Sequence, residues 1–217
     1  MAESPSLLTQ ETLALAVREL AARDPDLAGI VGRFGPPPMW DRPAGFATLV
    51  YIVLEQQVSL ASAKAAFDRL QAAVEPLSPE RLLELDDGQL LAIGFSRQKA
   101  RYVRNLAQAV RSGSLDLEAL ARLPDEDVQR ALVGLTGIGP WTASIYLLMA
   151  LRRPDVWPAT DMALVAAVAQ VKGLADRPDA GQMRALAAPW RPWRSVAARL
   201  FWHDYLSRRG RSAPGTD

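Results

Sequence analysis

The chain has no cysteine and a single histidine, His203, in 217 residues. Without cysteine there can be no structural disulfide, no thiolate metal site and no Cys nucleophile. A single imidazole argues against a His-based zinc site, which draws several ligands from the chain. Long apolar runs are missing as well. The stretch MAESPSLLTQETLALAV at the start has neither a basic n-region nor an extended apolar segment. No signal peptide or membrane span is therefore expected, and a soluble cytoplasmic protein follows. Net charge is nearly absent at +1, so no global field draws the chain to a polyanion. Strand patterning is missing too, because apolar residues recur at intervals of three and four rather than two. There is no internal repeat and no low-complexity segment.

What remains is an ordinary globular composition, 49% hydrophobic and 23% charged, in a chain long enough for one full core or two small lobes. Helix signals follow one another along it. Thr9 or Thr12 can cap a first helix through Leu13, Val17 and Leu20, and Asp24-Pro25 breaks it before a short second helix to Phe34. The proline-rich run Gly35 to Pro43 is a connector. A richly apolar helix over about 44–57 ends in the polar trio Glu55-Gln56-Gln57, and Ser59 caps the next, to Val74. Ser78-Pro79 starts a short helix to Leu85, and Asp86 or Asp87 starts another, ending at Gly94. Ser96 caps a basic helix over 97–111, and a short amphipathic segment spans 115–123. After Asp161 helices are predicted to about Val171, over 179–187, and from Pro192 to Ser207, with a disordered tail over 208–217. The class is all-α.

Two features within 125–166 carry chemistry. The first is the turn Leu135-Thr136-Gly137-Ile138-Gly139 between two helix-patterned segments, the second entered through Pro140-Trp141-Thr142. Glycines let backbone turn sharply and approach a ligand, and free N–H groups opening a helix stabilise an anion such as phosphate. A plain αα-hairpin would read the same way locally. The second feature is Asp161, twenty-two residues after Gly139, at a predicted helix start. An ordinary N-cap Asp would also stand there, and both roles can hold together.

Charge distribution says more than net charge. No acid lies between Gly88 and Leu115, while Arg97, Lys99, Arg101, Arg104 and Arg111 do. Between Met183 and Arg211 seven arginines (Arg184, Arg191, Arg194, Arg199, Arg208, Arg209, Arg211) face one acid, Asp204. Such segments can neutralise phosphates. Solvated helix faces would look alike, and for any single Arg that is the default.

Taken in order, four segments resemble the helix-hairpin-helix (HhH-GPD) DNA glycosylases of the 3-methyladenine glycosylase II type, over about residues 25–206. They are Leu54-Glu55-Gln56-Gln57-Val58-Ser59; Gly94-Phe95-Ser96-Arg97-Gln98-Lys99-Ala100; the hairpin with Trp157-Pro158-Ala159-Thr160-Asp161; and the segment from Trp190 to Trp202. The resemblance implies two helical lobes with a central catalytic cleft within 1–207, the hairpin at about 125–150, and a chain too short for the extra N-terminal domain of larger relatives. It implies Asp161 as the catalytic anion facing an oxocarbenium-like sugar. Trp141, Trp202 and Met162 would form the base pocket, with Met162 where the family often has Tyr, and a core role stays open for Trp202. Gly137, Ile138, Gly139, Thr142, Ser59 and Lys99 would meet DNA. Gln57 aligns with the wedge that fills the gap left by a flipped base, although a Gln bonding local carbonyls explains it equally. Val133, Leu135 and Gly137 would offer carbonyls to a monovalent cation (Na or K). The four-Cys iron–sulfur cluster of some relatives is excluded, and no other cofactor is called for. Bifunctional members carry a Schiff-base Lys where this chain has Trp141, so no lyase chemistry is expected. The implied function is base excision repair: a monofunctional glycosylase acting on alkylated purines in double-stranded DNA, as a nucleoid-associated monomer with no membrane contact. Deaminated or etheno bases, a non-catalytic DNA-binding hairpin module, or an all-α interaction protein are the alternatives. His203 receives no role, and Glu55 is the carboxylate to consider after Asp161.

Overall fold

The structure is a computed structural model describing residues 7–210. The part of the expected tail at 211–217 lies outside the described residues, whereas 208–210 form a hydrogen-bonded turn, Gly210 N to Ser207 O at 3.1 Å. Among the described residues every regular element is helical, so the all-α class stands. The chain divides into two compact units: described residues 7–41 with 152–210, and Arg42–Leu151.

The first unit begins with α1 (Gln10–Arg23) and α2 (Pro25–Phe34). Thr9 caps α1 in a reciprocal box with Thr12. Asp24 ends α1 and caps α2 by accepting from the N–H groups of Asp26 and Leu27, with Pro25 at the first helical position.

The middle unit holds α3 (Phe46–Glu55), α4 (Leu60–Ala73), α5 (Pro79–Glu84), α6 (Asp87–Ile93), α7 (Arg97–Arg111), α8 (Leu117–Leu120), α9 (Asp125–Val133) and α10 (Pro140–Ile145). Its centre is α3, whose residues Leu49, Val50, Ile52 and Val53 are fully buried. α4, α7 and α10 pack around it. α10 continues as a π turn over Tyr146–Ala150, closed by Leu151 N to Tyr146 O at 3.0 Å. The apolar periodicity gave no sign of this widening, because a π turn shifts register by one residue without changing composition.

The chain then returns to the first unit as α11 (Met162–Val171), α12 (Ala180–Ala187) and α13 (Arg194–Ser207). α13 packs on α1, α2 and α11 and is buried from Ser195 through Trp202. It opens at Arg194 and not at Pro192. Trp193 N closes a turn onto Trp190 O at 2.8 Å, and the first cap is the carboxylate of Asp155, which accepts from Arg194 N at 3.2 Å. No helix among the described residues is long and apolar enough to cross a membrane.

Candidate functional site

Asp161 ends a loop, residues 152–161, that is fastened along one helix. Arg194 grips the Asp155 carboxylate with Nε at 2.8 Å and Nη2 at 3.0 Å. The fully buried Ser195 hydroxyl accepts from Val156 N at 2.8 Å and donates to Val156 O at 3.2 Å. Trp157 packs against Trp190 and Phe201, with centroids 5.3 and 6.4 Å apart. Trp202 Nε1 donates to Asp161 Oδ1 at 3.0 Å. The pairs 194/195 and 201/202 are two helical turns apart, so they share a face of α13. Asp161 is at once the N-cap of α11, with Oδ1 accepting from Leu164 N at 2.7 Å. One carboxylate oxygen is therefore fixed by two neutral donors, at a helix end whose dipole favours an anion. Helix capping and a positioned carboxylate coexist in this residue. The indole of Trp202 is 8% exposed and acts on Asp161 through its N–H, a role invisible in the sequence. Met162 is 76% exposed. As the first residue of α11 it is open to a ligand and is not part of the core.

In the middle unit the hairpin joins α9 to α10, and its two glycines have different causes. Gly137 has φ +96°, and a Cβ there would lie 2.0 Å from Cγ of Tyr102. The fold itself requires glycine at this position. Gly139 has φ −92°, and a Cβ built on it meets nothing within 4 Å. No internal contact explains it. The amides of Gly137 and Gly139 donate to nothing among the described residues, while Ile138 N donates to Leu135 O at 3.0 Å and the Ile138 side chain is buried as a plug. Thr142 corrects an expectation. Its side chain is 1% exposed and its hydroxyl lies 3.0 Å from Gln56 Nε2, so it ties the hairpin inward instead of meeting DNA. Trp141 is half-buried in the first turn of α10. Of the three carbonyls considered for a cation, Leu135 O accepts from Ile138 N and Gly137 O from Gln56 Nε2 at 2.9 Å. A carbonyl oxygen has a second acceptor site, so the set still fits a hard monovalent ion.

The segment after α3 is fastened residue by residue. Lys99 Nζ donates to Leu54 O at 2.6 Å, and burial lowers its pKa. It is thus a cation closing a helix C-terminus, where the dipole favours it, and not the expected phosphate contact. Glu55 is 7% exposed and bound by both Arg42 nitrogens at 2.7 and 2.8 Å, which removes it as an alternative catalytic carboxylate. Ser59 caps α4 by accepting from Ser62 N at 3.1 Å. Gln57 is exposed with φ +57°, and its side chain makes no hydrogen bond among the described residues, so it does not bond local carbonyls.

Part of the basic segments is tied into the fold. Arg104 binds Asp87 and Leu85 O, Arg194 binds Asp155, Arg208 binds Asp204, and the fully buried Arg199 donates to Met39 O at 2.6 Å. Burial pushes the Arg199 guanidinium down to about 10, against attraction from Asp41. Arg97, Arg101 and Arg111 on α7 are exposed, as are Arg184, Arg191, Arg208 and Arg209 of the second basic segment. His203 lies 3.0 Å from Phe34 O and meets Phe34 and Trp40 edge-on, a structural placement.

The chain belongs to the HhH-GPD superfamily of base excision DNA repair proteins, which matches residues 50–192. A putative DNA-3-methyladenine glycosylase, YfjP, of Bacillus subtilis is 34% identical over 126 residues, 58% of this chain and 44% of that one. A DNA-3-methyladenine glycosylase of the same organism is 28% identical over 85% of this chain and 65% of its own length. The chain thus spans between two-fifths and two-thirds of these relatives. A solved Schizosaccharomyces pombe 3-methyladenine DNA glycosylase (Mag1) in complex with abasic DNA superposes with a TM-score of 0.80 at 26% identity, covering 87% of this chain and 95% of that one.

Proposed function

We propose that the chain is a monofunctional DNA glycosylase that excises alkylated purines of the 3-methyladenine and 7-methylguanine type from duplex DNA. The observation that carries it is Asp161, an anion whose Oδ1 is fixed by Leu164 N–H and Trp202 N–H. The names of the relatives support the substrate class.

A glycosylase must first draw the target nucleotide out of the stack. The open amides of Gly137 and Gly139 suit a backbone phosphate, and a glycine at 139 that no internal contact requires suits close approach by an external partner. The carbonyls of Val133, Leu135 and Gly137 would hold a monovalent cation, which would add positive charge facing that phosphate. Exposed Gln57 suits the gap left by the flipped base.

With the base extruded, the C1′–N bond breaks and its electron pair leaves with the purine. Positive charge develops on the sugar ring, and the fixed Asp161 carboxylate stabilises it. Water attacks C1′, its proton passes to the carboxylate or onward to solvent, and an abasic sugar remains. An alkylated purine already carries formal positive charge and departs neutral, so no strong general acid is needed. Its charge also favours aromatic ring faces of the kind that Trp141 and Trp202 offer, each within its own unit. Trp141 provides no amine, so no Schiff base forms there. The partner is double-stranded DNA bound by a monomer at the nucleoid, without membrane contact.

The test is incubation with alkylated duplex and identification of the released bases. Release of free 3-methyladenine or 7-methylguanine from an uncleaved strand is expected, with no borohydride-trapped adduct. Salt-dependent DNA binding without release would instead mark a non-catalytic module. Release of deaminated or etheno bases alone would move the substrate class.

A further inference from the structure

We propose that Gln56 is a positioning residue that couples the phosphate-binding hairpin to the Gln57 loop, so that the hairpin's grip on DNA sets the side chain that enters the duplex. The proposal rests on the glycosylase function above.

Three consecutive residues at the end of α3 are each held by a different part of the unit. Leu54 O is taken by Lys99 of α7, the Glu55 carboxylate by Arg42 ahead of α3, and the Gln56 amide by the hairpin. Gln56 Nε2 donates to Gly137 O at 2.9 Å and to Thr142 Oγ1 at 3.0 Å, reaching 81 and 86 positions along the chain. The next residue, Gln57, is the one without such a hold. Its φ of +57° is a conformation that a side chain with a Cβ adopts only when its surroundings impose it. The three holds supply that imposition, and they leave Gln57 exposed at the end of a rigid mount.

Of the three, only the Gln56 hold reaches the segment with the open amides. Gly137 is bonded from one side through its carbonyl to Gln56, and its N–H is left for an external acceptor. Gly137 is also backed by the Tyr102 ring, so it cannot retreat when a phosphate presses on it. Load on the hairpin is therefore passed to Gln56. Lys99 and Arg42 hold the mount in the absence of DNA, whereas Gln56 registers its presence. Both bonds need a donor at Gln56: the Gly137 carbonyl can only accept, and Thr142 accepts in the observed geometry.

The test is a double-mutant cycle. Gln56→Met keeps the length of the side chain and removes both donors. Gln56→Glu, a second variant of the same shape, faces the Gly137 carbonyl with an acceptor. Two readouts are followed: single-turnover excision from alkylated duplex, and fluorescence of 2-aminopurine beside an abasic-site analogue, which brightens as neighbouring bases unstack. Both readouts are taken with the duplex saturated by protein, so that weaker binding does not enter them. The variants lose about tenfold in excision and most of the fluorescence change, the size of one lost hydrogen-bonded restraint. Gln57→Ala is expected to lose as much, and Gln56→Met with Gln57→Ala no more than Gln57→Ala alone. Losses that multiply in the double variant, or a fluorescence change retained in both Gln56 variants, overturn the proposal. A wild-type protein that releases no base overturns the glycosylase function, and the fluorescence cycle then still decides whether Gln56 acts through Gln57.

Discussion

Replacing Trp202 with Phe tests how Asp161 is held. The indole N–H donates to Oδ1 at 3.0 Å, and the Leu164 amide donates to the same oxygen at 2.7 Å. Phe keeps an aromatic ring in a site that is 8% exposed but has no donor. A hydrogen bond to a charged group contributes about 1.5–3 kcal/mol, which corresponds to about 10- to 150-fold in rate if the whole of it serves the transition state. Because Leu164 still holds the same oxygen, the carboxylate turns about that bond without leaving the site. The expected loss is therefore at the lower end, about 10- to 30-fold. The smaller ring also leaves a void, at a stability cost of about 1–2 kcal/mol. Single-turnover release of 3-methyladenine, with thermal melting in parallel, separates the two effects. Binding to duplex carrying an abasic-site analogue should change little. Excision within twofold of wild type in the folded variant would show that the indole does not orient Asp161. The same outcome would leave Trp202 as a stacking surface or plain core, since Phe retains both roles.

Asp161→Asn keeps the N-cap and removes the charge; it should lose excision by orders of magnitude while folding and DNA binding persist, and near-wild-type excision would reduce Asp161 to a helix cap. Gly137→Ala should destabilise by about 2–4 kcal/mol, from positive φ and collision with Tyr102, whereas Gly139→Ala should melt like wild type and weaken DNA binding; equal melting of the two, or unchanged binding by the second, would contradict the assignment. Asp24 provides a pH test. Burial raises its pKa, but bonds from Lys172 and Trp190 outweigh this and hold it below the ordinary carboxylate value of about 3.9. A depressed pKa gives stability that is present above that value and lost as pH falls through the lower folded one. The destabilisation caused by Lys172→Met, measured by denaturant unfolding, should thus be full at pH 6 and shrink below about pH 4.

The sequence announced what depends on near neighbours. Caps at Thr9, Ser59, Ser78, Ser96 and Asp161 fall where short-range donors and acceptors meet, and each appears in the structure. The hairpin was legible for the same reason, since two glycines and Pro140 act locally. Side-chain partners far along the chain were not. Lys99 and Thr142 look like DNA contacts until Leu54 O and Gln56 are seen beside them, 45 and 86 positions away. Trp202 finds Asp161 across 41 positions, and Ser195 finds Val156 across 39. Periodicity places a residue on a face but does not say what the face meets. The same limit hid the start of α13, where Asp155 caps from a different segment. Gln56 did leave a signal: the polar trio Glu55-Gln56-Gln57 closing a helix apolar along most of its length needs a reason for each member.

The arginine-rich segments show the same distinction in electrostatic terms. A guanidinium that binds a carboxylate inside the fold leaves little field outside. Arg42 does this to Glu55 and Arg194 to Asp155, whereas Arg33 and Arg208 reach the buried Asp204 from the surface. Asp161 Oδ1 accepts from an amide and an indole. Neutral donors orient a carboxylate without cancelling its charge, whereas a guanidinium would orient it and oppose positive charge developing on a bound sugar. A site built to stabilise a cation needs its anion fixed by dipoles. Guanidinium pairs suit the places where the need is to hold two segments together. The chain places its arginine pairs at fastening points such as Asp155, six residues before Asp161, and puts a tryptophan N–H on the aspartate itself.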